Sequence, residues 1–308
     1  MHIDDFRLDE TRWSTLTTIL KRRAFKILTK RAPPLYLKGD DKITASPMTI
    51  AAHEKPVTHL LRTLSRDGYR DALFDIGANV GLATYFARDA FDRVFCFEPN
   101  PEVFHILAAN LGRDRQVQLF NVGLGDRNDE TTLLVPRGNY GGAFIADDAN
   151  AYERNAIANV NGFASFHAED YLELPIVVKR GRDVLPGLFA QLAPNASVTI
   201  KIDVEGYETT ILREIAAALP PAVRAAIVFE NWRADFDARA FFAEVFEGRG
   251  RVLKLVSTLD RHSRFGRNAT LLLRGDKYHT SDSPESWVGE VLYLVDAPGE
   301  NRASQRLG

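Results

Sequence analysis

Four acids that close apolar runs are the residues of this chain best suited to chemistry: Asp75, Glu98, Asp203 and Glu230. Asp75 is followed by Ile-Gly77-Ala-Asn79-Val-Gly81 and a helical pattern, and Glu98 closes the next apolar run 23 residues after Asp75. Glycine serves where backbone approaches a ligand closely or takes positive φ. The dinucleotide fingerprint G-x-G-x-x-G seats a pyrophosphate at a helix N-terminus. Here the middle glycine is Asn79, and the last follows after two residues rather than three. A carboxylate at Asp75 would repel a diphosphate and suits a ligand with positive charge. S-adenosylmethionine carries a sulfonium and an ammonium, and its carboxylate can use free N–H groups at the turn and helix start. An acid at the second strand end, Glu98, is placed to accept hydrogen bonds from ribose hydroxyls.

The segment Lys201-Ile-Asp203-Val-Glu205-Gly206-Tyr207-Glu208 gathers acids after a third apolar run, and Glu230-Asn231 ends a fourth. Strand ends of one parallel sheet share a rim, and carboxylates crowd together only when a cation, a proton or a metal answers them. Asp203 and Glu205 are the candidates for a general base, with His167 and Glu230 behind them. Asp203 can equally be a cofactor contact without proton transfer, and Glu205 a helix-start acid. Lys201 reads as a structural partner for a nearby acid and His105 as a surface residue. The Arg261, His262, Arg264 and Arg267 loop reads as a solvated turn, or as a seat for an anionic substrate group.

The elements that must position these residues alternate. Strands are expected at Ala72–Ile76, Val94–Glu98, Val117–Val122, Val198–Asp203 and Ala225–Asn231. Helices are expected near His53–Arg66, Leu82–Asp89, Glu102–Leu111, Glu208–Leu219 and Ala238–Glu247. Continuous Val/Ile/Phe strands separated by helices imply a parallel sheet covered on both faces. Arg251–Ser257 and Asn268–Arg274 read as a terminal antiparallel pair. Residues 136–170 lack a clear period and read as a lid or substrate loop. Residues 11–31 form an amphipathic helix with a basic face, expected to pack on the domain or on a second subunit; attachment to an anionic membrane surface is the alternative.

The composition is that of an ordinary globular chain: 308 residues, 45% hydrophobic, net charge −2. The balance gives no reason to expect nucleic acid as a partner. The single cysteine, Cys96, excludes an internal disulfide, fits a reducing, cytoplasmic setting and reads as core. The N-terminus lacks the apolar core of a signal peptide, and no run approaches the ~20 apolar residues of a transmembrane helix.

Asp75-Ile-Gly-Ala-Asn-Val-Gly81, then Phe97-Glu-Pro-Asn-Pro101 with Leu107 and Asn110, then Lys201-Ile-Asp-Val-Glu-Gly-Tyr-Glu208 together resemble the FkbM-type methyltransferases over about residues 50–273. Asn139-Tyr-Gly-Gly142 and Asn268 look like weaker motifs of that family. The resemblance implies the class I, Rossmann-like α/β methyltransferase fold: a mostly parallel seven-stranded sheet with an antiparallel last strand and helices on both faces. It implies a helical extension over 1–50, a methyltransferase domain over 51–275 with 136–170 as its insertion, and a C-terminal extension over 276–308.

It further implies transfer of a methyl group from S-adenosylmethionine to a hydroxyl of a sugar, glycoconjugate or secondary metabolite. Asp75, Gly77, Asn79 and Gly81 would hold the methionyl end, and Glu98 the ribose, with Phe97 and Pro99 beside the adenine. Asn121 or Asp126 would meet the adenine edge, and Asp203 the methyl group. Asp203 with Glu230-Asn231 resembles the ligand set of catechol O-methyltransferase-like enzymes, which suits Mg²⁺. A dehydrogenase on the same fold, N-methylation, a non-catalytic S-adenosylmethionine-binding scaffold and a homodimer through the N-terminal helix stay open on sequence alone.

Overall fold

The computed structural model describes residues 12–30, 32–39, 41–44, 47–48, 55–147, 150, 152, 154–257 and 278–296. Its strands are β1 (Ala72–Ile76), β2 (Val94–Phe97), β3 (Val117–Phe120), β4 (Gly123–Gly125), β5 (Asp129–Pro136), β6 (Phe144–Ile145), β7 (Tyr171–Arg180), β8 (Ser197–Ile202), β9 (Arg224–Asn231), β10 (Arg251–Ser257), β11 (Tyr278–Ser281) and β12 (Gly289–Val295). An eight-stranded sheet has the order β11-β10-β12-β9-β8-β1-β2-β3. The neighbours β1–β2, β2–β3, β1–β8 and β8–β9 run parallel, while β12 lies antiparallel between β9 and β10.

The central strands are mostly apolar because both their faces are covered. Every residue of β1 and β8 is buried. Successive side chains point to opposite faces. Phe74 and Ile76 enter a core with the helices Gly181–Phe189, Glu208–Ala218 and Ala238–Val245, whereas Leu73 joins Leu61, Leu107 and Leu111 on the other side. Cys96 is part of that second core, and burial pushes its thiol far up, so it packs rather than reacts.

The fold class is the one expected, and the sheet is larger than expected. Arg251–Ser257 pairs antiparallel with both Gly289–Val295 and Tyr278–Ser281, and Asn268–Arg274, assigned such a role on sequence, lies outside the described residues, as do Arg261, His262, Arg264 and Arg267. Segment 276–308, expected as an extension, supplies β11 and the inner strand β12. A second sheet, β4-β7-β5-β6, escaped sequence reading. The β5–β7 pairing runs from Asp129↔Val178 to Pro136↔Tyr171, so the irregular stretch is the connection of a long hairpin.

The N-terminal helix, Arg12–Leu28, does not pack on the domain, one of the two placements expected for it. Residues 19–28 are all exposed, the apolar ones included, so this face does not pack on the domain. Beyond Pro33-Pro34, a strap returns to the body: Leu35, Leu37 and Ile43 pack on Val80, Leu82, Val103 and Tyr140.

Candidate active site

The strand order reverses at β1, whose chain neighbours lie to one side and β8 to the other. Parallel sheets bind ligands at the carboxyl ends of strands flanking such a reversal. A cavity of about 410 Å³ opens there, within the range of small-molecule sites. Its wall combines Gly77, Ala78, Asn79 and Val80 from the turn after β1 with Phe97, Glu98 and Pro99 after β2. Val122–Leu124, Asp203–Glu205 and Glu230 complete the strand-end side.

The turn keeps its glycines for steric reasons. Gly77 has φ +79°, and a Cβ there would lie 1.9 Å from the Asp203 carbonyl oxygen. Gly81 has φ +85° at the start of the helix Leu82–Ala87, and a Cβ would meet the side chains of Leu107 and Leu111 at 2.7 and 2.8 Å. Asn79 takes the remaining positive φ, +51°, a conformation asparagine tolerates. Its N–H donates to Glu98 Oε2 at 2.8 Å, and the Asn100 N–H donates to Oε1 at 2.8 Å. Asn100 in turn caps the helix Pro101–Leu111, accepting from the N–H groups of Glu102 and Val103. The Asn121 amide donates to the carbonyls of Glu98 and Pro99. Glu98 is thus buried, fixed from both sides and pushed up to about 7 by desolvation, against the pull of its two N–H donors.

Across the cavity, register pairs Asp75 with Lys201. The buried Lys201 ammonium donates to Asp75 Oδ1 at 3.3 Å and to Asp203 Oδ2 at 2.9 Å. Asp75 also accepts from the Thr84 hydroxyl at 2.7 Å. Asp203 is 47% exposed on the cavity wall, so Lys201 ties a solvent-facing acid to a fully buried one. Glu205 and Glu230 line the same end. Glu208 lies just behind; desolvation first, then the charges of Asp203 and Glu230, push it up to about 8.

The hairpin connection supplies the facing wall through Asn139–Ile145. Asn139 donates to Asn161 Oδ1, and Asn161 donates back to the Gly142 carbonyl. Asn150 Nδ2 donates to the carbonyls of Ile145 and Glu205, each at 2.8 Å. The Tyr207 hydroxyl donates to the Asp147 carboxylate, which also receives Arg127. The wall is therefore bonded directly to the acid-rich loop after β8.

Gly77, Asn79, Phe97, Glu98, Pro99, Asp203, Glu205 and Glu230 line the cavity together. Other expected residues stand elsewhere. Asp75 is sealed beneath the turn by Lys201 and Thr84, Gly81 packs between helices, and Asn121 braces the Glu98–Pro99 backbone. Asp126 pairs with Arg127, away from the cavity. His167 is exposed, its Nε2 2.9 Å from Ser165 Oγ, and does not reach the acids. The Asn231 amide is spent on closing a corner: Nδ2 donates to the carbonyls of Arg233 and Trp287, and Oδ1 accepts from the Arg233 N–H. Among the described residues no group of three or more His, Cys, Asp or Glu side chains could hold a metal ion, and in the Asp203, Glu230, Asn231 set expected for Mg²⁺ both polar atoms of Asn231 are already bonded to backbone.

Sequence reading missed Ile43 on the wall and the Asn150 and Asp147 ties behind it, and placed Tyr140 only within a weak motif. Only the turn composition of Asn139–Gly142 and the pair Asp147-Asp148 signalled them.

The donor set fits S-adenosylmethionine. A carboxylate offers about four acceptor sites, and backbone takes two of Glu98's, which leaves capacity for two adjacent hydroxyls. A model of the FkbM methyltransferase domain matches residues 75–247, more than half of the chain. No curated protein matches. Similar solved structures include an FkbM methyltransferase from Methylobacillus flagellatus KT, at 16% identity and TM-score 0.34, covering 90% of this chain and 60% of that one. The O-methyltransferase TomG from Streptomyces achromogenes, of tomaymycin synthesis and solved with SAM, shows 14% identity and TM-score 0.38, covering 94% and 99%. A precorrin 8W decarboxylase from Methanobacterium thermoautotrophicum shows 16% identity and TM-score 0.36, covering 79% and 90%. Similarities at this level carry no statement about substrate. The sheet and its cavity are those of an α/β methyltransferase, with S-adenosylmethionine as the methyl donor. The chain belongs to the FkbM methyltransferase family.

Proposed function

We propose that the enzyme methylates a hydroxyl of a sugar, glycoconjugate or hydroxylated secondary metabolite, with Asp203 as the base. The observation that carries this reading is the split of the cavity into two ends. Glu98, held by two N–H donors beside Phe97 and Pro99, suits an adenosyl group, while Asp203, Glu205 and Glu230 converge at the other end. When bound, S-adenosylmethionine supplies an electrophilic methyl on its sulfonium.

Glu98 would accept the ribose hydroxyls, and the turn of Gly77 and Ala78 would face the methionyl end; both of its N–H groups donate to the Phe97 carbonyl, so the turn would offer carbonyl oxygens to the methionyl ammonium. An alcohol oxygen that forms the new O–CH₃ bond must shed its proton, and a base within hydrogen-bond reach takes it. Lys201 occupies Asp203 Oδ2, which directs Oδ1 to that proton. Glu205 is the second candidate, and His167 is set aside because it is exposed and does not line the cavity. The hairpin wall of 139–145, within the insertion 136–170, acts as the lid that excludes water and shapes the acceptor pocket. An amine acceptor would use such a carboxylate less, which favours oxygen over nitrogen. We place the enzyme in the cytoplasm, in keeping with its single, buried cysteine. No described helix is long and apolar enough to cross a membrane.

The test is transfer of labelled methyl from S-adenosylmethionine to fractionated glycans and hydroxylated metabolites, with the product mapped by mass spectrometry. An O-methyl ether is expected. A methyl found on nitrogen or carbon would overturn the hydroxyl assignment.

A further inference from the structure

We propose that the N-terminal helix, Arg12–Leu28, docks the protein on an anionic lipid surface. Leu20, Ala24, Ile27 and Leu28 recur at helical spacing and form one apolar face. That face is open to solvent: Leu20 and Leu28 are 56% exposed and Ile27 75%. Lys21, Arg22, Arg23, Lys26 and Lys30 are exposed around it. Residues 12–30 hold six basic side chains and no acid. An amphipathic helix of this composition lies in the interface plane, apolar face among acyl chains and cations among lipid phosphates. Seventeen residues are fewer than the ~20 needed to span the hydrocarbon, so the helix lies on the bilayer rather than across it.

Charge decides between occupants. A second copy of the helix would set six cations against six, whereas an anionic bilayer neutralises them. The position also has a consequence for the enzyme. Two prolines after the helix, the strap is bonded to the cavity wall. The Tyr36 N–H donates to Asn110 Oδ1 at 2.6 Å, Asn110 Nδ2 donates to the Val80 carbonyl at 2.8 Å, and Ile43 lines the cavity. Docking through this helix therefore tethers the cavity within a short reach of the lipid surface.

Vesicle flotation of the full chain tests this, using phosphatidylcholine vesicles with and without phosphatidylserine. Flotation is expected only with phosphatidylserine and should weaken as salt is raised. A cation near such a surface is worth about five-fold in binding, so K21E/R22E/K26E should reduce partitioning about 100-fold or more. I27D/L28D should abolish it. The substituted side chains are exposed, so unchanged thermal melting would establish that both variants fold. The proposal is overturned if the native chain stays with the soluble fraction, or if the charge-reversed chain floats as well as the native one. A dimer without vesicles that I27D/L28D dissociates would overturn it in favour of a second copy.

Discussion

Lys201, read from sequence as the structural partner of one nearby acid, serves two. It neutralises the fully buried Asp75 and holds Asp203 at the cavity wall. Removing one partner of a buried ion pair strands the other charge, at a cost of about 3–5 kcal/mol. Lys201→Met should therefore lower unfolding free energy by about 3 kcal/mol in urea titration; a loss below about 1 kcal/mol would mean that Asp75 does not depend on the lysine. Glu98 gives a second expectation. Desolvation first, and then the Asp75 charge, hold it protonated up to about 7, while its N–H donors act the other way. The ionised form is the one with acceptor capacity for two hydroxyls. S-adenosylmethionine affinity should thus fall as pH drops below about 7, by up to about ten-fold per unit. Calorimetric titration across that range should show the slope in the native enzyme and a flat profile in Glu98→Gln; a slope that persists in the variant would assign it to another group.

At the scale of elements, Gly81 sets how closely the helix Leu82–Ala87 approaches Pro101–Leu111. An alanine there meets a left-handed backbone and two leucine side chains at once. Gly81→Ala is expected to destabilise by about 3 kcal/mol, the sum of a backbone and an overpacking cost. Thermal melting indistinguishable from the native enzyme would contradict this. The same elements show what a sequence reveals. The strands β1, β2, β8 and β9 announced themselves because burial on both faces demands Val/Ile/Phe-rich runs, broken only by partnered polar residues such as Thr199 and Lys201. The acids at their ends were legible because a parallel sheet puts those ends on one rim. β5 and β7 carry a fainter signal, the alternation of Leu133 with Val135 and of Ile176 with Val178, because only one face is covered. The roles of Asp75 and Asn231 were not legible at all. Whether an acid faces a cavity or a buried lysine depends on a cross-strand partner more than a hundred residues away, and the Asn231 amide is consumed by backbone brought in before β12.

For the whole molecule, the buried acids leave a signature in stability. Glu98 is pushed up to about 7 and Glu208 to about 8, both from an ordinary value of 4.5. Between those values the folded state binds more protons than the unfolded one, so stability falls as pH rises from 4.5 towards 8. Asp89 is held low by Arg62, and Glu214, against the desolvation that pushes it up, by Arg182; their contributions are complete by about pH 5.5, near the bottom of that window. The ligand-free enzyme should therefore melt at a lower temperature at the upper end of the window, and Glu208→Gln should reduce the drop; a melting temperature that rises with pH would be the contrary finding. The molecule joins an adenosyl-binding end to an acid-bearing end across one cavity, and its central claim is that Asp203 takes the proton of an acceptor hydroxyl. The single-turnover rate of methyl transfer to that hydroxyl, at saturating S-adenosylmethionine, tests this most directly. Asp203→Asn should transfer about 100-fold or more slowly than the native enzyme, whereas transfer at the native rate would show that Asp203 is not the base.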